Sequence, residues 1–449
     1  MATLKITVQL NLVKHFLTRR APVAWYFFVA ALLLPTALAA DASIETFAGR
    51  RVARIDLQGH RTTREHVIRR ELRTAPGQAL DPALLSADLQ RLDNLDIFSS
   101  LAASARPLGE EVILVIKLRE IPPAVPYISY DVTDEDGWSY GPALKAVNLL
   151  GRDLFVAGYA LFGGKTTFLL DINYPWIASN HLSLDLDIGR IERDNTLDGF
   201  REESFEFSPW LGTYLGERGR AAVGFSYFRV HSDRPGHTLN TKGRDQLFQA
   251  GLRLGYDSRD AWGDPHRGWL NEAELRKTGG LLPGNGDYWT THLDLRRFQP
   301  LASRQTLVLA GLLSLQSGKV GRDLPEYMDF HLGGANTIRG YQIDELGATL
   351  FGKNQLIGTL EYRFPLMVSR EYILLGMAAD LGLSGALFAD TGLAWSHGDD
   401  FSRDRLETGV GLGLRLLAPA VDMTRLDIGY SPSGGWQIHF ASFAKMRAQ

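Results

Sequence analysis

Residues Gln246 to Asp257 read QLFQAGLRLGYD, and from Phe248 onward the side chains alternate in character. Phe248, Ala250, Leu252, Leu254 and Tyr256 fall on one face, and Gln249, Arg253 and Asp257 fall on the other. A repeat of two is the signature of a strand with one apolar and one polar face. The pattern recurs along most of the chain. HLSLDLDIG (181–189) sets Leu182, Leu184, Leu186 and Ile188 against Ser183, Asp185 and Asp187, and TRLDIGY (424–430) and GGWQIHFASF (434–443) repeat it. Such strands build either a soluble sandwich with its polar face to water or a membrane barrel with its polar face to a wet lumen. Three features favour the barrel: an export signal, aromatic residues near segment ends (Tyr174, Trp176, Trp210, Tyr214, Trp395), and frequent charges on the polar face.

About 320 residues at roughly 20 per strand and connection predict an antiparallel β-barrel of about sixteen strands over 127–449. An even count returns the chain to the side on which it started. Beyond the N-terminus, no apolar run approaches the roughly 20 residues of a membrane helix. At the N-terminus, Lys5, Lys14, Arg19 and Arg20 precede APVAWYFFVAALLLP, and ALAA follows with small residues suited to cleavage. Residues 1–40 are therefore expected to be a signal peptide. Its removal takes four cations and no anions, moving the formal charge from −3 to −7. That balance excludes the basic face that nucleic acid would need. Cysteine is absent, so disulfides, a lipidated thiol and thiolate zinc sites are excluded.

Residues 50–121 have a different texture. RVARIDLQG alternates as a strand. TREHVIRRELRT spaces Val67, Ile68, Glu71 and Leu72 as a helix, with Thr62 or Thr63 as its expected cap. DPALLSADLQRLDNLDIF starts a second helix at Asp81–Pro82 and runs Leu84, Leu85, Leu89 and Leu92 down one face. A hairpin turning near Gly109 completes a β-α-α-β-β module that resembles a POTRA domain, including Phe98 after the second helix. One copy is read. Residues 122–126, with Pro122, Pro123 and Pro126, are expected to link it to the barrel.

FHLGGANTIRGYQIDELG (330–347) lies in a long connection between two strand-like segments, and long loops in compact folds are usually functional. The following strand, NQLIGTLEYRFPL, turns Leu356, Gly358, Leu360, Tyr362 and Phe364 outward and Glu361 and Arg363 inward. The next, SGALFADTGLAW, turns Asp390 inward if Leu387, Ala389 and Leu393 meet lipid. A loop folded back into its own barrel would bring Arg339 to both carboxylates, with Gly333, Gly334 and Gly340 freeing the backbone of the tip. LGGANTIRGY is similar to the loop tip of the BamA/TamA superfamily, which includes two-partner secretion transporters and the mitochondrial sorting and assembly barrel. YDSRDAWGDPHRGWL, GTLEYRFPL, FADTGLAW and GVGLGLRLLAP…TRLDIGY resemble further family segments in the same order. The resemblance implies a loop-to-lumen lock of Arg339, Gly340 and Tyr341 with Glu361 and Asp390. In one departure, the chain runs on past Phe443 with AKMRAQ, where family barrels often end on an aromatic residue.

A lateral seam is expected between the first and last strands, at Tyr127, Ile128, Ser129 and Tyr130 and at Gly434, Gly435, Trp436, Ile438 and Phe440. Proline before the first strand and glycine before the last weaken pairing there, and an incoming strand could add to the exposed edge. Closure like that of any other barrel stands beside this reading.

GWSYG around Ser139 matches a nucleophile pattern but lacks the strand-to-helix context, and GGKTT (163–167) lacks the first glycine of a phosphate loop. The histidines show no metal-ligand spacing, and His439 reads as a lumen lining residue. The expected protein catalyses no reaction and binds no cofactor or metal. It sits in the Gram-negative outer membrane with the POTRA module in the periplasm. There it would insert or export unfolded outer-membrane or secreted clients, in contact with lipid and not with nucleic acid. A dedicated transporter threading one secreted partner through the lumen, and a barrel hydrolase using Ser139, are the alternatives.

Overall fold

The computed structural model describes residues 44–133, 136–178, 181–196, 198–342, 351–374, 377–398, 401–418 and 421–443. The expected signal peptide and the tail after Phe443 lie outside them. The first unit runs β1 (Val52–Gln58), α1 (Glu65–Arg69), α2 (Pro82–Asn94), β2 (Phe98–Leu108) and β3 (Glu111–Glu120). Its sheet has the order β1-β3-β2, with β1 parallel and β2 antiparallel to β3. Helix α2 begins where the Asp81 carboxylate accepts the Ala83 N–H, and Pro82 occupies the first turn, where its missing donor costs nothing. Leu85 and Leu92 enter the core with Val52, Val67, Ile68, Leu114 and Ile116. Asp88 is buried on the same helix face and accepts the N–H groups of Arg73 and Thr74, which ties down the segment between the helices.

Helix α1 is shorter than its periodicity predicts and starts after Arg64, not after a threonine cap. Thr62 and Thr63 serve another bond. Their backbone N–H groups donate to the Glu120 carboxylate at 3.0 and 2.7 Å, and the Thr63 hydroxyl accepts from Asn148 Nδ2 at 2.7 Å. Tertiary contacts have overridden the local cap.

The large sheet opens with β4 (Ala124–Thr133), β5 (Gly137–Leu149), β6 (Leu154–Gly163), β7 (Thr166–Ala178), β8 (Leu182–Asn195) and β9 (Phe200–Leu215). It continues through β10 (Gly219–Ser232), β11 (Arg244–Asp257), β12 (Gly268–Gly279), β13 (Asp287–Ala302) and β14 (Gln305–Gln316). A long loop holding the two-residue strands β15 (Phe330–His331) and β16 (Phe351–Gly352) follows. The sheet ends with β17 (Asn354–Leu374), β18 (Met377–Trp395), β19 (Glu407–Ala418), β20 (Val421–Ser431) and β21 (Gly435–Phe443). Sixteen strands lie side by side in chain order from β4 to β21. Each neighbouring pair is antiparallel, as a meander requires.

Alternation survives in three dimensions: Leu252, Leu254 and Tyr256 are exposed on the outside, while Gln249 and Asp257 are buried within. Three details differ from the sequence reading. Strand β4 begins at Ala124, so Pro126 sits inside it opposite Leu144, as an edge strand tolerates. Trp210 is 3 % exposed and points into the lumen, where the Arg253 guanidinium covers its ring at 4.3 Å. Gly224 and Gly251 leave the room for that indole. Leu393, expected at lipid, is 2 % exposed.

The first unit sits against one end of the strands. The β5–β6 turn carries Asn148, Leu150 and Asp153 at positive φ, and its Gly151 carbonyl accepts the Arg64 N–H at 3.0 Å. Arg70 reaches Asp153 at 3.0 Å and lies over the Trp176 ring at 4.5 Å, and Val147 joins the small unit's core. The long loop leaves from the opposite end.

Candidate functional site

The tip of that loop is folded by its own residues before it meets the wall. Gly333, Gly334 and Gly340 adopt φ of 122°, 82° and 99°, a region that side chains rarely enter. The Gly334 N–H donates to the Tyr341 carbonyl at 2.7 Å, and the Thr337 hydroxyl bonds the backbone of Gly333. Leu332, Ile338 and Tyr341 then pack with Ile357 and Ala394 of the wall.

This small apolar cluster holds Arg339 against the inner wall, where it is 3 % exposed. Its Nε and Nη2 donate to the two oxygens of Asp390 at 2.7 and 2.9 Å, a forked pair. Its Nη1 donates to Glu361 at 2.9 Å and to Asp427 at 3.2 Å. The guanidinium carbon lies 3.4 Å from the centre of the Phe388 ring. The structure therefore brings together Arg339, Glu361 and Asp390. Tyr341 donates its hydroxyl to Glu407 at 2.7 Å, and the Gly340 N–H donates to His439 Nε2 at 3.0 Å.

Sequence reasoning turned Arg363 inward beside Glu361 but did not single out Arg415, Asp427 or Arg425. Arg415 donates to Glu361 at 2.7 Å and also pairs with Asp427, while Arg363 holds Glu361 at 2.8 Å. Arg425 donates to the Ala335 carbonyl and Asn336 Oδ1 at 2.8 Å each. Three carboxylates thus face cations from the loop and from the wall itself, and none of these charges is left uncompensated. The parity that turned Glu361 inward also turns Arg415 and Asp427 inward. Their signal was present but unused.

Glycines make the seat. A Cβ on Gly409 would run into the Arg339 carbonyl oxygen, and one on Gly429 would meet the Gly340 nitrogen. Gly434 lies under the Gly340 carbonyl, and Ser431 Oγ donates to that carbonyl at 2.6 Å. The loop has a further anchor at Tyr327, whose hydroxyl donates to Asp245 at 2.9 Å.

Strands β4 and β21 are the two ends of the sheet, and no ladder bond joins them among the described residues. They are nevertheless neighbours: the rings of Tyr130 and Phe440 lie 5.5 Å apart. Ile128, Trp436 and Ile438 are strongly exposed on the outer face, and Tyr127 and Ser129 take the opposite face by alternation. Gly434 and Gly435 stand at the start of the last strand. Gly435, at φ 69°, closes the β20–β21 turn against Ser431, and Gly434 packs on the loop tip.

Ser139 is a buried strand residue whose Oγ accepts the Lys165 N–H at 2.9 Å. The GGKTT stretch is the β6–β7 turn, and its Lys165 pairs with Asp131 at 2.8 Å and Asp136 at 3.2 Å. Among the described residues, no group of His, Asp and Glu is arranged to hold a metal.

Residues 148–439 match the Omp85 superfamily domain, and residues 50–121 match the POTRA model, a surface antigen variable number repeat. The chain belongs to the Omp85 superfamily. The Omp85 chain is 25% identical over 389 residues to the outer membrane protein assembly factor BamA of Nitratidesulfovibrio vulgaris, covering 83% of this chain and 47% of that protein. It is 25% identical over 385 residues to BamA of Neisseria meningitidis serogroup B, covering 77% of this chain and 46% of that protein. It thus spans about half the length of these curated relatives. Among solved structures, BamA from Haemophilus ducreyi lacking POTRA domains 1-3 matches with a TM-score of 0.56 at 17% identity, covering 88% of this chain and 83% of that one. CdiB from Escherichia coli matches with a TM-score of 0.54 at 14% identity, covering 90% and 78%. Both structures share its fold. The sixteen strands are those of an outer-membrane Omp85 barrel, with the POTRA module on the periplasmic side.

Proposed function

We propose that this Omp85 protein assembles client proteins into the outer membrane, by letting a client strand pair with an edge exposed between β4 and β21. The observation that carries this reading is the unladdered juncture of those two strands, held by side-chain contact across it. An open edge offers a row of unpaired backbone donors and acceptors, and a client strand that pairs there gains the main-chain bonds of β-augmentation. The clients are unfolded outer-membrane chains, and the work is non-covalent, driven by the client's own folding. The docked loop fills the lumen with side chains beside β17 to β21, which opposes threading a partner through that side of the channel. Ser139, buried in a strand, has no role in bond cleavage.

The chain has no native cysteine, so an engineered pair stands alone. Tyr130→Cys with Phe440→Cys places thiols on the two facing strands. Oxidation should stop insertion of a barrel client into vesicles, and reduction should restore it. Insertion at full rate through the oxidised seam would overturn the proposal. Export of a soluble partner unaffected by oxidation would point to the threading transporter.

A further inference from the structure

The outer wall carries a feature that neither the docked loop nor the seam uses. Strands β12 to β14 and β17 to β19 present a groove of about 650 Å³ to the membrane. Register places Leu295, Gly311, Gly358 and Thr391 in one line across the wall. The next line, toward the periplasm, runs Trp269, Arg297, Leu309, Leu360, Ala389 and Val410. Two glycines paired with each other lower the floor, and exposed Leu309, Leu360 and Val410 form its shoulder.

Arg297 stands at the periplasmic end of this apolar groove. Its ladder neighbours Trp269 and Leu309 are both exposed on the outer face, so the arginine shares the hydrocarbon-facing side. It lies 5.0 Å from the Trp269 ring and donates to Gln299 Oε1 at 2.8 Å. Among the described residues no carboxylate pairs with it. A cation facing lipid is costly near the bilayer centre, less so near the interface, and calls for an anion.

We propose that this groove seats one glycerophospholipid of the periplasmic leaflet, its phosphate on the Arg297 fork and an acyl chain over Gly311 and Gly358. The polarity fits the bilayer: the guanidinium lies toward the periplasmic turn after Ala302, and the apolar floor extends from it toward the membrane interior. Guanidinium matches a phosphodiester in charge and in forked geometry. The strands beneath are laddered on both sides, so the groove offers a client chain no open edge.

The test uses the purified full chain in mild detergent, titrated with phosphatidylglycerol and read by native mass spectrometry. Wild type and the turn variant Arg304→Gln should each retain one phospholipid. Arg297→Gln should weaken retention on the order of tenfold, the loss expected for a charge-assisted hydrogen bond. Gly311→Leu should weaken it comparably by filling the groove. A Cβ at Gly311 meets nothing within 4 Å, so a side chain there starts into open space. Equal retention by all four proteins would overturn the proposal, as would a loss in Arg304→Gln as large as in Arg297→Gln. A dimer abolished by Gly311→Leu with phospholipid retention unchanged would assign the groove to a second copy and also overturn it.

Discussion

The Arg339 guanidinium commits every nitrogen to a carboxylate and reaches three of them, Asp390, Glu361 and Asp427. Arg339→Ala would leave Asp390 without its forked partner inside a low-dielectric niche. Breaking such a pair costs up to about 3–5 kcal/mol when dry, and less where lumen water reaches. The expected result is a lower unfolding temperature and faster protease cleavage within the 317–353 loop, read on folded barrels. Arg339→Lys should rescue little, because a point-charge ammonium cannot span Asp390, Glu361 and Asp427 together. Gly429→Ala should expose the loop in the same assay with every charge intact, since its Cβ meets the Gly340 nitrogen. Glu361 and Asp390 were legible because an inward acid in a strand shows by parity alone, and Arg339 because it stands in the long glycine-rich loop before them. Gly409 and Gly429 were not. A glycine in a strand pattern has no side chain to mark a face, and its value appears only when another backbone arrives above it.

Among the elements, the β5–β6 turn couples the two units. Gly151 sits at φ 68° and a Cβ there would run into the Thr62 carbonyl oxygen, so Gly151→Ala combines backbone strain with a collision. Faster amide exchange over residues 62–73, with the barrel strands unchanged, is the expected outcome. Glu120 supplies a pH-dependent part of the same junction. Burial pushes its carboxyl up, but the hydrogen bonds from Thr63 and Thr62 outweigh burial and hold it below its usual value. A depressed carboxyl stabilises the fold above its unfolded pKa of about 4.3, and that contribution is lost as pH falls through the lower folded value. Thermal melts of the POTRA unit within the whole chain should therefore lose stability below about pH 4, and Glu120→Gln should flatten that acid limb. A melt whose acid limb is identical in the variant would remove Glu120 from this role. Helix α1 shows why caps mislead: Thr62 and Thr63 have capping side chains, yet Glu120 and Asn148, far away in sequence, claim them.

At the scale of the molecule, strand number and meander order were readable from a period of two and an average spacing, because each strand's partners are its neighbours in sequence. Whether the ends of the sheet join was not readable, since closure depends on tilt and stagger summed over all sixteen strands. The aromatic count also misled. Trp210 and Tyr214 occupy inward positions, where arginines cover their rings. The oxidised Tyr130/Phe440 cysteine pair has a second expected effect at this scale. A cross-link between the two ends of the sheet should raise the temperature of heat unfolding by restricting the unfolded chain. An unchanged melting point would mean that the ends already separate late.

The seat of the loop tip is finished by Asp427, Ser431, Gly434 and His439, all on the final hairpin. Those residues follow Arg339 by roughly a hundred positions, so the finger has no finished seat until the last hairpin has joined β19. Its housing then acts as an inspection stamp. A chain cut short before β20 could still form most of its ladder, but it would carry an arginine with a missing wall behind it.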